Sequence, residues 1–175
     1  MNWCVDLDTL SAASCRPDLR VLLTYDWDAV AALASLGSPT ADEVKGVRVD
    51  WTLRPGEAVS RSDVHDRYGG VRQGGISPSS TSPNVLLFTD DAANRQHGYL
   101  RDHWNGTDLF LYCGEGQVGH QTLTRYNGSV LHHRTDGKAL RLFQGVRGTV
   151  KYVAELYVDP DEPFQWRWGP GRDGT

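Results

Sequence analysis

The chain has 175 residues, enough for one domain with a small appendage. Its net charge of −4 excludes a basic nucleic-acid binder on totals alone, but residues 51–158 carry 12 basic against 10 acidic side chains, so an anionic partner would sit there. Cys4, Cys15 and Cys113 form no CxxC pair, which argues against zinc, and no apolar run reaches the ~18 residues of a membrane span.

In "TYDWDAVAALASLG", Thr24 or Asp26 is a candidate N-cap. Trp27, Val30, Leu33 and Ala34 follow at helical spacing, and Gly37 and Pro39 stop the pattern. "PTADEVKG" adds a shorter helical turn. Residues 1–50 are therefore expected to form a helical N-terminal cap on a main domain spanning 51–165.

The pattern changes at Trp51. "SRSDVHDRYGG" predicts a short helix after Ser62, ended by Gly69-Gly70. "VRQGGISPSSTSPN" is a Gly, Ser and Pro loop with little to bury. Short apolar runs follow: "NVLLF", "DLFLYC", "GSVLHH", "ALRLF" and "GTVKYVAELYV". In the last, Val150, Tyr152, Ala154, Leu156 and Val158 alternate with their neighbours, which is strand periodicity. Gly and Asp turns separate the runs, so a sheet closing into a barrel or sandwich is expected. The tail from 166 to 175 reads as a linker or a cut end, with the natural protein continuing beyond it. No internal repeat, low-complexity tract or coiled coil is present.

Chemistry-bearing motifs are few. His65, His97, His103, His120, His132 and His133 form neither HExxH nor a Cys/His pair, so no metal or other cofactor is expected. No P-loop, GxGxxG or GxSxG occurs, and nothing singles out a catalytic triad. Between the Gly pairs of "RYGGVRQGGISPS", Arg72 and Gln73 are side chains that read or replace a base, though a plain surface loop explains them as well. In "HGYLRDHWNGTDLFLYCGEGQ", Tyr99, Asp102 and Tyr112 could clamp a planar heterocycle and read its amino edge. Residue types alone favour two core tyrosines and a turn aspartate.

The order of these motifs resembles the SET- and RING-associated (SRA, or YDG) domain. That family shows Gly-Tyr-x-x-Asp, then Tyr-Thr-Gly-x-Gly, then Asp-Gln-x-Leu-x-x-Gly-Asn-x-Ala-Leu. Here the stretches are "GYLRD", "LFLYCGEG" and "HQTLTRYNGSVL", with "ALRLFQGVRGTVKYVAELYV" downstream and "VHDRYGGVRQGGI" upstream. The stretch from about 54 to 165 looks like the reader half of bacterial modification-dependent restriction endonucleases that fuse such a domain to an HNH nuclease. His120 stands where the family has Asp, and Tyr126 where it has Gly. The Tyr99–Tyr112 spacing is one residue longer than usual.

The resemblance implies an α+β fold, a twisted and partly open SRA/PUA-like β-barrel with flanking helices. It implies binding of double-stranded DNA that carries 5-methylcytosine or a 5-substituted relative, by flipping the base. Tyr99 and Tyr112 would sandwich that base, Asp102 would accept from its edge, and Cys113 would lie near its 5-substituent. His97 and Gly98 complete the expected pocket. The loop from Val71 to Gly75, with Arg72, Gln73 and Gly74, would fill the vacated space. His65, Arg67, Tyr68, Gly70, Ser77 and Ser79 are expected beside it on the DNA-binding face. Gln117, Gln121, Arg125, Asn127 and Arg141 complete that face, with Arg67, Arg72, Arg125 and Arg141 on phosphates.

No HNH motif is present, so this chain is expected to bind rather than cut, with any homodimer forming through a nuclease domain not in it. The odd cysteine count and the lack of an apolar leader fit a bacterial cytoplasmic location. The alternatives are a small enzyme acting on a nucleobase and a protein-interaction domain with the tyrosines in its core.

Overall fold

A computed structural model of the chain describes residues 49–90, 102–106, 108–116 and 121–166 with their side chains, and residues 15–24 and 167–170 as backbone. Nine strands and two helices occur among them. They are β1 (Cys15–Thr24), β2 (Ala58–Ser60), α1 (Arg61–Tyr68), β3 (Ile76–Pro78), β4 (Asn84–Thr89), β5 (His103–Asn105), β6 (Leu109–Cys113), α2 (Arg125–Leu131), β7 (Ala139–Gln144), β8 (Thr149–Val158) and β9 (Phe164–Pro170). The strand order is β3-β4-β7-β8-β1-β6-β5, with β2 on β8 and β9 on β1. The sheet is mixed, and this path does not close into a barrel among the described residues.

The apolar run of β4 explains its place between two neighbouring strands. It pairs parallel with β7 and antiparallel with β3, and Val85, Leu86, Leu87 and Phe88 are all buried. A strand covered on both faces reads as continuous hydrophobicity rather than alternation. Val85 and Leu87 join Ile76, Phe110, Tyr112, Leu140, Leu142 and Leu156 in one core cluster. Leu86 and Phe88 join Val64, Tyr68, Phe143, Val150 and Tyr152 in the other. Each fully buried side chain of this size contributes about 1.5–3 kcal/mol.

Strand β8 serves both clusters. Val150 and Tyr152 lie in one, while Ala154, Leu156 and Val158 lie in the other. The cause is an irregularity in the ladder: Leu142 pairs Ala154 but Phe143 pairs Tyr152, which leaves Val153 as the extra residue. A β-bulge of this kind shifts the alternation by one and sends the next side chains to the opposite face.

Helix α1 forms close to its expected place. Val64, His65 and Tyr68 are buried, and Gly69, with φ of 75°, ends the helix in a conformation that suits glycine. Several sequence expectations differ from the structure. The stretch read as a loop with little to bury, "VRQGGISPSSTSPN", contains β3, with Ile76 and Ser77 fully buried. The helical cap over 1–50 does not hold at Cys15–Thr24, which is a strand inside the main sheet and takes in the N-cap candidate Thr24; the helical stretches expected after it lie outside the described residues. Of the tail expected as linker from 166 to 175, residues 166–170 belong to β9, which pairs with β1 from Cys15–Pro170 to Val21–Phe164, and the rest lie outside the described residues. "GSVLHH" is the end of α2 and a following turn rather than a strand, with Val130 buried.

Candidate nucleic-acid interface

The ends of β4 and β6 meet at a corner held by Asp102. Its Oδ2 accepts from the Thr89 hydroxyl at 2.6 Å and its Oδ1 from the Cys113 backbone N–H at 2.7 Å. The side chain is buried, at 6% exposure, so the carboxylate braces two strands before it can do anything else. Tyr112 is also enclosed, at 2% exposure. Its hydroxyl donates to the Phe88 carbonyl at 3.3 Å, and its ring lies 6.5 Å from that of Phe110. Cys113 is buried, and Gln121 Nε2 donates to the neighbouring Gly114 carbonyl at 2.8 Å. His97, Gly98, Tyr99 and Gln117 lie outside the described residues.

The Gly-rich loop, residues 69–75, stands against this corner. Gly69, Gly70 and Gly74 have φ of 75°, 90° and 86°, a region that L side chains rarely adopt. A Cβ at Gly75 would come within 2.8 Å of the Tyr112 hydroxyl, so loop and corner are in contact. Arg72 and Gln73 are exposed at the tip. Arg72 pairs with Asp66, also exposed, and such a surface pair is worth under about 1 kcal/mol, too little to withhold Arg72 from another partner.

The expected DNA-facing set divides in two. Arg67, Arg72, Gln73, Gly74 and Arg125 are exposed. Arg125 opens α2 with φ of 53°, a conformation a non-glycine residue holds at a cost. The others support the loop and the corner. Ser77 Oγ donates to the Val71 carbonyl, and a Cβ at Gly70 would come within 2.5 Å of that oxygen. Ser79 Oγ accepts from the Thr81 and Ser82 amides. The Tyr68 hydroxyl meets Thr52. Asn127 holds the Glu115 backbone from both sides. Arg141, expected on a phosphate, is half-buried and tied into the sheet. It donates to Glu155 at 2.5 Å and to Asn84 at 3.1 Å, and it lies 4.5 Å from the Trp51 ring.

Two residues absent from the expected set matter here. Arg61 donates to the carbonyls of Gly74 and Val146 and lies 3.9 Å from the Phe88 ring centre. Glu115 Oε1 accepts from the amides of Gly75 and Ile76. Burial pushes the Glu115 carboxyl above the usual range, and those two amides pull it partly back. No pattern in the sequence marks either residue, because the backbone atoms they hold lie far along the chain.

The tautomer of His65 follows from its partners. Arg61 Nε donates to Nε2 at 3.2 Å, so Nδ1 carries the proton and donates to the Gly69 carbonyl at 3.1 Å. His133 repeats the pattern, with Nδ1 donating to the Lys138 carbonyl and Nε2 accepting from the Val158 amide. Burial lowers both pKa values, against the opposing pull of the carbonyls. The unfolded chain therefore takes up these protons first, and their contribution to stability falls as pH drops below about 6.5. NMR titration should give both rings midpoints below that value with the proton on Nδ1. Midpoints at or above it would mean that the fold does not disfavour the charged rings.

No curated protein matches the sequence. A solved structure, "Sulfur binding domain and SRA domain of ScoMcrA complexed with phosphorothioated DNA", is similar at 24% identity with a TM-score of 0.45. The similarity covers 67% of this chain and 39% of that one, so this chain spans well under half the length of its counterpart. The family of ScoMcrA-like SRA domains matches residues 55–175, a stretch that includes the whole loop and the whole corner, and the chain belongs to that family.

Proposed function

We propose that the chain is a reader of modified double-stranded DNA, which it engages with the Gly-rich loop and the Asp102–Cys113 corner. The observation that carries this is their contact. An exposed Arg72–Gln73 tip stands on a braced stem that touches Tyr112, within one family-matched segment. Support also comes from exposed cations of the expected set, Arg67 and Arg72 beside and within the loop and Arg125 at the start of α2.

In the finer reading the target is 5-methylcytosine or a 5-substituted relative, flipped out of the stack. Extrusion costs a few kcal/mol of pairing and stacking, which base contacts and phosphate contacts must offset. Asp102 is the acceptor for the cytosine amino edge, and Tyr99 and Tyr112 are the flanking rings. Stacking on Tyr112 requires its ring to be uncovered, because in the structure it is enclosed.

The test is a panel of short duplexes, each carrying one modified base or one phosphorothioate linkage, with unmodified and single-stranded controls. Binding that needs both the duplex and the modification is expected, without cleavage. Turnover of a free nucleotide would indicate a nucleobase enzyme instead. Affinity should fall with salt at a log–log slope of about −3 to −4.5, the value for roughly three to five phosphate contacts. A flat salt response would contradict a phosphate-anchored duplex.

A further inference from the structure

Four successive backbone groups at the foot of the Gly-rich loop have fixed partners. The Gly74 carbonyl accepts from Arg61 Nη2 at 2.8 Å. The amides of Gly75 and Ile76 donate to one oxygen, Glu115 Oε1, at 2.8 and 2.6 Å. The Gly75 carbonyl accepts from the Phe88 amide at 2.8 Å. Arg61 belongs to α1 and Glu115 follows β6, so two distant elements grip the same point.

Glu115 is itself held. Its amide donates to Asn127 Oδ1 at 2.8 Å, and Asn127 Nδ2 donates back to its carbonyl at 2.9 Å. The glycines permit this approach, since a Cβ at Gly74 would come within 2.8 Å of Glu115 Oε1. A carboxylate that needed only to be solvated would face water. This one spends an oxygen on two amides in a half-buried place, which is costly unless the bonds it makes are needed.

We propose that Glu115, together with Arg61, is a positioning residue for duplex recognition, holding the foot of the loop so that the Arg72–Gln73 tip stands at a set reach before DNA arrives. This rests on the reading that the loop enters the duplex. A loop ordered in advance loses less entropy on binding, so the clamp acts on duplex affinity without touching the nucleic acid. A single strand has no stack to enter and gains nothing from it.

The experiment uses the full chain, with Glu115→Ala and Glu115→Gln as variants. Each is tested on the 5-methylcytosine duplex, or another modified duplex that the wild type prefers, and on the modified strand alone. Amide hydrogen exchange is read at Gly75 and Ile76. Glu115→Ala should speed exchange at both amides and lower duplex affinity about tenfold, with single-strand affinity within about twofold. Glu115→Gln keeps an oxygen acceptor and should restore both to within about threefold of wild type.

Unchanged duplex affinity in a folded Ala variant, or equal losses on duplex and single strand, overturns the proposal. Should that variant not fold, Gly74→Ala replaces it, because a Cβ there comes within 2.8 Å of Glu115 Oε1 and the φ of 86° strains the foot of the loop. The same duplex-selective loss is expected there, and equal or absent losses overturn the proposal again. A wild-type chain that prefers no modified duplex defeats the underlying reading, a result distinct from a wild type that binds and a variant that binds equally well.

Discussion

An Arg72→Ala, Gln73→Ala double variant is expected to lose duplex affinity by about ten- to a hundredfold, the size of one or two lost polar contacts to nucleic acid. Affinity for the same modified strand without its complement should change by less than about threefold, as expected for side chains that act only inside a stacked duplex. Both residues are exposed at the loop tip, so the fold should not notice their removal. Releasing Arg72 also frees Asp66, but an exposed pair of this kind contributes little. The measurement is a pair of titrations, duplex and single strand, with a melting curve as control. Equal losses on the two substrates would mean that the tip touches only phosphates.

The second large effect belongs to Asp102. Its alanine variant strands a buried Cys113 amide and removes the acceptor of the Thr89 hydroxyl, and the loss should be about 3 kcal/mol, since bonds to a charged acceptor are the stronger kind. For a chain of this size that corresponds to roughly 6–12 °C in melting temperature. Asp102→Asn should cost no more than about 1 kcal/mol, because its oxygen still accepts from Cys113 and its NH₂ can donate to Thr89. The amide then separates bracing from reading. A carboxylate pairs with the cytosine amino group and repels the thymine O4, whereas an amide can turn its NH₂ toward O4. The preference for modified cytosine over thymine should shrink by about ten- to a hundredfold in a folded Asn variant. An unchanged preference would leave Asp102 as a brace and move base reading elsewhere.

What the sequence disclosed depended on how local each signal was. Helix α1 was legible because Gly69-Gly70 closes it, and β4, β6 and β7 were legible because each is a short apolar run between turns. Strand β9 carried a period-two signal in "FQWRW", but the prolines and acids before it made the tail look like a linker. The "RVLLT" of β1 is an apolar run of strand length that sat unread beside a more conspicuous helical pattern. In β8 the alternation was legible, but not its division between two faces. A bulge at Val153 leaves no mark on the hydrophobic pattern, because apolar residues continue at every second position on both sides of it.

The site shows the same limit. Arg72 and Gln73 could be found from loop composition, whereas Arg61 and Glu115 could not. Their partners are backbone atoms 13 and 39 or 40 residues away, a relation that only the folded chain creates. Asp102 was visible as a lone carboxylate, but its grip on Thr89 and Cys113 depends on the ends of β4 and β6 meeting.

Strand β1 lies before the family-matched segment, yet it stands between β8 and β6 in the sheet. It pairs Leu23 with Val158 on one side and runs from Arg20–Cys113 to Thr24–Leu109 on the other. Remove it, and the backbone ladder parts into a half that carries β4 and the loop and a half that carries β6 and the corner, with β9 left unpaired. In modular terms, the portable unit is therefore larger than its recognisable signature. A graft that moved residues 55–175 into another protein would carry every side chain proposed to read DNA but not the beam that spaces them. It would also present raw strand borders, which invite pairing with a neighbouring chain.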